Sequence, residues 1–399
     1  MRSAEPEMRK LGQPLPKSRY SANTMDSEIV PAPDSTGQSG RFAAAYRVLQ
    51  EAISAKAFPG CAFGVLASGQ VVVQGALGRF TGEEGAPPVT SETAYDVASL
   101  TKVVATTAMA MLLHQRGQLD LDTLVGDLLP GFVVGRQAGD RARQVRLRHL
   151  LAHSSGLPGY VEFFRTAKTQ AALFRACLSL PLEAEPGTRA EYSDPGFILL
   201  GKALEVIAHE HLAAWVQREV FAPLGMTATC FCPNLEDRPA IPPTEEDTSF
   251  RRRRIQGEVQ DENAWVLHGA AGHAGLFSNV PDLLSFARSI LEPGCGRNVA
   301  ADGPGLFHPA TVEMFAQRQP PRGSSRALGW DTPSPESSAG RHFPAHSIGH
   351  LGYSGCSLWM DLDACIAVLL LTNRTWPSRE SQLIRTIRPA FHDAIREAI

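Results

Sequence analysis

The chain of 399 residues is 43% hydrophobic and 20% charged, with 38 Lys+Arg against 41 Asp+Glu and a formal net charge of −3. That balance excludes a disordered or fibrous polymer and provides no global field for nucleic acid or an anionic membrane. The longest apolar run, 364–371, is far shorter than the roughly 18 residues of a spanning helix, and the length admits two or three units of about 150 residues.

Residues 1–40 are polar and rich in Pro, Ser and Gly, without the apolar core of a signal peptide. They predict a disordered leader and a cytoplasmic protein, with Met25 as an alternative start. Apolar residues at Phe42, Ala45, Tyr46, Leu49 and Ile53 have helical spacing over 41–56, and Pro59-Gly60 ends that element. Residues 61–67 and 71–77 are β-type runs joined by the short loop Ser68-Gly69-Gln70. Residues 98–116 are apolar nearly all round and predict one interior helix ending at Gly117. From about 118 to 325 helices and loops dominate: 147–151 leads into the turn His-Ser-Ser-Gly-Leu-Pro, and 196–211, 212–221 and 281–291 are helical. Strand character returns at 327–331, 356–361 and 365–372, and 379–399 closes as an amphipathic helix.

Strand signals at both chain ends with helices between them predict an α+β fold. Its antiparallel sheet is built from N- and C-terminal strands, flanked by terminal helices, with a mainly helical region inserted. The expected organisation is one unit over 41–399, with its sheet region at about 41–117 and 326–399 and its helical region at about 118–325.

Only six of the basic residues are lysines: Lys10, Lys17, Lys56, Lys102, Lys168 and Lys202. Arg keeps its proton in proteins whereas Lys can lose it, so a Lys in an Arg-rich chain can mark chemistry. The strongest local candidate is Ser99-Leu100-Thr101-Lys102, opening the interior helix. Residues three apart share a helix face, so the Lys102 amine reaches the Ser99 hydroxyl, and a desolvated Lys of lowered pKa can take its proton. The helix N-terminus adds N–H groups for developing negative charge. On its own the motif reads more readily as a helix-start Ser with a Lys extending to solvent. Two later elements change the weighting. Tyr192-Ser193-Asp194 offers a phenol and a carboxylate before a helix. The stretch from His350 to Gly355 provides a His and a small-residue strand edge where a backbone N–H can approach a carbonyl.

In this order the three stretches resemble the motifs S-x-x-K, Y-x-N and K-T-G of the serine β-lactamase and penicillin-binding-protein-like hydrolases. That family includes class C β-lactamases, D-alanyl-D-alanine carboxypeptidases and family VIII esterases. Supporting stretches at 150–160, 269–279 and 369–374 are similar to it as well, and the resemblance covers about 41–399. It implies that Ser99 is the acylated nucleophile and that Lys102 takes its proton or holds the network that does. Tyr192 would shuttle a proton to the leaving group as an acid/base of lowered pKa, and the backbone N–H groups of Ser99 and Tyr353 would form the oxyanion hole. Asp194, His350, Leu351 and Gly352 would contact substrate. No metal or cofactor is implied.

The departures bear on substrate. Asp194 replaces an Asn donor, Leu351 replaces a Thr whose hydroxyl meets a substrate carboxylate, and His350 replaces Lys. A site lacking those donors should discriminate against carboxylate-bearing substrates. The expected activity is therefore hydrolysis of carboxylic esters or small amides. β-Lactamase or D-alanyl-D-alanine carboxypeptidase activity is the alternative, and a non-catalytic binding protein on the same fold is a third reading. The expected partner is a small ester, amide or β-lactam, with no nucleic acid and no membrane span.

Other features have plainer readings. Arg251 to Arg254 is flanked by acidic residues and reads as a paired charge cluster. His268, His273, His346 and His350 lack a matching ligand set, His153 reads as fixing its turn, and Gly349-x-x-Gly352-x-x-Gly355 lacks a phosphate-loop Lys. Seven scattered cysteines, including Cys295 and Cys365, read as free thiols.

Overall fold

The computed structural model describes residues 38–292, 305–335 and 337–399. The predicted leader to residue 37, Met25 and Cys295 lie outside the described residues.

The strands in chain order are β1 (Gly60–Ala67), β2 (Gln70–Gly78), β3 (Tyr95–Asp96), β4 (Cys230–Phe231), β5 (Pro243–Asp247) and β6 (Arg253–Gln256). They continue with β7 (Leu276–Ser278), β8 (Ser347–Leu351), β9 (Ser357–Asp361) and β10 (Ile366–Thr372). A five-stranded sheet runs β2-β1-β10-β9-β8, antiparallel throughout. The two chain ends meet at its centre, where Cys61 faces Thr372 and Ala67 faces Ile366. This is the predicted α+β architecture.

The apolar run of β10 is buried on both faces, as side chains alternating across a pleated strand require. Ala367, Leu369 and Leu371 join the main core, whereas Ile366, Val368 and Leu370 join a second cluster on the opposite face. The second cluster is closed by the N-terminal helix Ala43–Ser54, through Ala45, Leu49 and Ala52, and by the C-terminal helix Ile384–Glu397, through Ile384, Phe391 and Ile395. The main core is covered by the helix Val280–Leu291 and by the buried rod that begins at Ser99.

Three expectations are corrected. The run 327–331 forms no strand; Asp331 makes only isolated bridges to Arg326 and Gly349, and the sheet edge is β8, which contains the His350-Leu351 motif. The predicted single helix over 98–116 is a 3-10 turn at Ala98–Leu100, a π-helical segment at Lys102–Thr107 and an α-helix at Ala108–Gln115. An all-round apolar pattern does not distinguish these windings. The region read as helices and loops also holds β4 and the hairpin β5–β6, while β3, β7 and β4 make a small sheet whose strands are too short to display a period of two.

The basic run on the hairpin is internally paired: Arg251 with Asp247 at 3.1 Å, Arg253 with Glu258, and Arg254 with Glu246 at 2.9 Å. Cys61, Cys177, Cys230, Cys232 and Cys356 are free thiols, but Cys365 is disulfide-bonded, against the expectation. Among the described residues no helix is long and apolar enough to cross a membrane.

Phe63 on β1 is fully buried and packs edge-on against Tyr46 and Phe391, with ring centroids 5.1 and 5.4 Å away. Phe63→Ala should cost about 3–5 kcal/mol in urea unfolding. A loss under about 1 kcal/mol would mean that the terminal helices are not clamped through this ring.

Candidate active site

Ser99 stands on a sharp elbow. β3 delivers the chain to Val97, whose N–H bonds Leu276 O of β7 at 3.1 Å, and Ala98 then takes φ +48, the left-handed region that a non-glycine residue adopts at a cost. Asp96 holds this turn: one carboxylate oxygen accepts Ala98 N–H at 2.8 Å and the other accepts Gln260 N–H at 2.7 Å. Burial lifts Asp96 to about 6, against the pull of those two N–H groups. Thr101 closes the turn by donating its hydroxyl to Ala98 O at 2.6 Å. Ser99 is left half-buried at the rim of a cleft of about 770 Å³.

Lys102, three residues on, has 0% exposure. Its ammonium has three donors and uses all three, on Ser99 Oγ at 3.0 Å, Asp194 Oδ1 at 2.6 Å and His273 O at 3.1 Å. Burial is the largest influence on this amine and lowers its pKa, but the charge and hydrogen bond of Asp194, with Tyr192 alongside, outweigh it, so the net shift is upward. The expectation of a lysine with lowered pKa is corrected: replacing the usual Asn by Asp194 creates an ion pair that stabilises the cation.

Tyr192 and Asp194 reach this point because Tyr-Ser-Asp-Pro-Gly is a helix start. Ser193 is the N-cap, its Oγ accepting Gly196 N–H at 3.1 Å, and Pro195 occupies the first turn of the helix Asp194–Ala208. Asp194 opens that helix, where the dipole favours a carboxylate. The Tyr192 ring lies against this group, with Lys102 Nζ 4.8 Å from its centroid. Burial raises the Tyr192 pKa, with Lys102 opposing it, so the expected lowering is likewise corrected.

Around this triad sit groups with no assigned chemistry in the sequence. His153 fixes its turn as expected: it takes φ +54, its Nδ1 accepts Ser193 N–H at 3.0 Å, and its ring lies 4.6 Å from that of Tyr192. His273 Nε2 bonds Asp261 Oδ1 at 3.0 Å. Burial pushes Asp261 up, but the His273 partner outweighs it and holds Asp261 at about 2. Arg326 lies 5.3 Å from the Tyr192 ring centroid and pairs with Asp331 at 3.6 Å. None of these contacts leaves a short-range pattern in the sequence.

His350 on β8 has 3% exposure, and burial, with Lys102 and Arg326 nearby, takes its pKa well below 6.5. The ring is therefore neutral and serves as a donor rather than as a positive charge. Its Nδ1 lies 2.9 Å from Leu351 O and therefore carries the proton, leaving Nε2 as an acceptor. Gly352 is required by close approach: a Cβ there would collide with Val97 O, so the turn after β8 packs directly against the elbow of Ser99. Ser99, Tyr192, Asp194, His350, Leu351, Gly352 and Tyr353 thus line one cleft with Lys102 in its floor. Among the described residues no cluster suited to holding a metal ion is present.

The chain belongs to the beta-lactamase family, whose model matches residues 45–390. It is 28% identical over 389 residues to an N-acetylmuramyl-L-alanine amidase of Bacillus subtilis, covering 90% of this chain and 86% of that one. It is 29% identical over 342 residues to a putative D-alanyl-D-alanine carboxypeptidase of Salmonella paratyphi B, covering 78% and 77%. Among solved structures, EstCE1, a hydrolase with promiscuous acyltransferase activity, superposes with a TM-score of 0.70 at 24% identity, covering 89% of this chain and 99% of that one. The octameric penicillin-binding protein homologue of Pyrococcus abyssi gives 0.65 at 22%, covering 83% and 73%. These two show the fold.

The ion pair has a pH signature. Because the folded-state pKa of Lys102 lies above the ordinary 10.5, its stabilising contribution is complete below that value and is lost as pH rises through the folded value. Asp194→Asn removes the opposing charge, lets burial prevail and lowers the Lys102 pKa. The alkaline limb of hydrolytic activity, followed as kcat/KM from pH 5 to 11, should therefore move to lower pH; an unmoved limb would show that Asp194 does not set the lysine's charge.

Proposed function

We propose that the chain is a serine acyl hydrolase that cleaves carboxylic esters or small amides through an acyl-enzyme on Ser99. The observation that carries this reading is the contact of Lys102 Nζ with Ser99 Oγ at 3.0 Å, in the floor of an open cleft and beside a neutral phenol.

A lysine whose three protons are committed does not accept a fourth. Ser99 Oγ attacks the substrate carbonyl while its proton passes to Tyr192 Oη, and the phenolic proton of Tyr192 passes to the departing oxygen or nitrogen. No tyrosinate forms, which suits a phenol whose pKa burial raises. The Lys102 ammonium holds Ser99 Oγ by its hydrogen bond and, lying beside the Tyr192 ring, favours the negative charge that builds during the transfer. The carbonyl oxygen of the tetrahedral intermediate receives the N–H groups of Ser99 and Tyr353. Water then enters where the leaving group was, gives its proton to Tyr192 and releases the acid, Ser99 recovering its proton.

Substrate class follows from polarity at β8. Leu351 has no hydroxyl, His350 is neutral with an acceptor nitrogen free, and Asp194 is a carboxylate, so this edge repels a substrate carboxylate rather than pairing it. A second reading, carboxypeptidase or β-lactamase activity, draws support from the names of the Bacillus and Salmonella relatives and from Arg379 and Arg385 on the cleft's lining.

Intact-mass measurement across a panel of p-nitrophenyl esters, penicillins and D-Ala-D-Ala peptides separates the readings. Acyl adducts from neutral esters are expected, absent in Ser99→Ala, with hydrolysis falling by about 10⁴-fold or more in that variant. Adducts confined to penicillins and D-Ala-D-Ala peptides would favour the second reading. An inert Ser99 towards every probe would make the chain a binding protein.

A further inference from the structure

The peptide group whose N–H points from Tyr353 has its carbonyl on Gly352. That carbonyl oxygen accepts Nη2 of Arg388 at 2.6 Å and Gly355 N–H at 3.0 Å. Arg388 lies on the C-terminal helix and has 7% exposure. It also donates from Nη2 to Cys356 O at 2.8 Å and from Nε to Gly355 O at 3.1 Å. Among the described residues no carboxylate pairs with it, so a buried charge is spent entirely on the carbonyls of one turn. Burial lowers its pKa to about 10, which leaves it cationic at neutral pH.

The other donor has the same arrangement. The peptide that carries Ser99 N–H has its carbonyl on Ala98, and Ala98 O accepts the Thr101 hydroxyl at 2.6 Å. Thr101 Oγ1 in turn accepts Leu276 N–H at 3.1 Å, making a chain of donors that ends on the peptide. A hydrogen bond to a peptide carbonyl draws electron density from its nitrogen and strengthens the N–H on the far side, and a charged donor does so more than a neutral one.

We propose that Arg388 and Thr101 are positioning residues of the oxyanion hole, each acting through the peptide whose carbonyl it caps, Gly352–Tyr353 and Ala98–Ser99 respectively. The inference rests on the acyl-enzyme reading above and adds to it the groups that polarise the two donors. An arginine in the second turn of the C-terminal helix, at the cleft's lining, is thereby coupled to the donor on the far side of the peptide it caps. The turn 352–356 is also held from its other side by Arg374, whose Nε donates to Tyr353 O at 2.8 Å and whose guanidinium lies 4.4 Å from the Tyr353 ring centroid, so loss of Arg388 does not by itself release the turn.

The test compares Thr101→Val with Thr101→Ser and Arg388→Met with Arg388→Lys in the full chain. Readouts are kcat and KM for a p-nitrophenyl ester and the Ki of phenylboronic acid, whose tetrahedral adduct on Ser99 places an oxygen in the hole. Val and Met should lower kcat by about 10- to 100-fold with KM changed by less than about twofold, and should raise the boronate Ki by the same factor. Ser and Lys should recover most of both. Should Arg388→Met fail to fold, Thr101→Val carries the comparison alone. Folded variants with wild-type kcat and wild-type boronate affinity would overturn the proposal, as would a fall in kcat that leaves boronate affinity untouched. A wild-type protein that neither acylates nor binds boronate at Ser99 would instead overturn the acyl-enzyme reading and this one with it.

Discussion

A fully buried ammonium must be paired, and the Lys102 charge is the constraint around which the rest of the site is arranged. An unpaired cation in this interior would cost several kcal/mol, whereas three acceptors in good geometry make it tolerable. Each acceptor comes from a different part of the chain: Ser99 from the same rod, Asp194 from a helix start 92 residues on, and the His273 carbonyl from a loop 171 residues on. Satisfying one lysine therefore fixes where three segments meet, and their meeting place is the cleft floor. The side chain that contacts Ser99 also closes the core beneath it.

The sheet serves this arrangement by placing its edge strand against the Ser99 elbow. β1 and β10 tie the two chain ends together at the centre, and β9 carries β8 outward to the cleft. Gly352 allows the turn after β8 to touch the backbone at Val97, and Asp96 ties the same elbow to the opposite rim at Gln260. Ser99 is thus held by backbone contacts on two sides while its own half-buried side chain faces the cleft. The left-handed residue immediately before it, Ala98, is the strain that this bracing sustains.

Much of this is legible in the sequence because it rests on local patterns. The alternating burial of β10 follows from a continuous apolar run, the Ser193 cap and Pro195 mark the helix that presents Tyr192 and Asp194, and Ser99 and Lys102 are three apart. What the sequence concealed depends on partners far away along the chain. Lys102 in isolation reads as an amine that burial should neutralise, and only the Asp194 contact at 2.6 Å reverses the sign. His350, in a lysine's place, reads in the sequence as either a donor or a positive charge, and its burial beside Lys102 and Arg326 decides for the neutral ring. β8 was missed because Ser347, Gly349 and His350 lack the apolar alternation of a half-buried strand; the strand is buried on both sides and is paired by backbone alone. Arg388 and Thr101 bond the carbonyls of Gly352 and Ala98, contacts that no residue-type pattern encodes.

The central claim is that the resting enzyme holds Lys102 as a cation paired with Asp194, leaving the proton relay to Tyr192. The scarcity of lysine makes this directly measurable, since Lys102 is one of only six in the chain. With lysine labelled by carbon-13 at the ε position and the Lys102→Arg variant for assignment, each amine can be titrated by its own NMR resonance. The account predicts that the Lys102 signal stays that of an ammonium through and above pH 10.5. A Lys102 signal already that of a neutral amine at pH 7 would contradict it and return the role of base to the lysine.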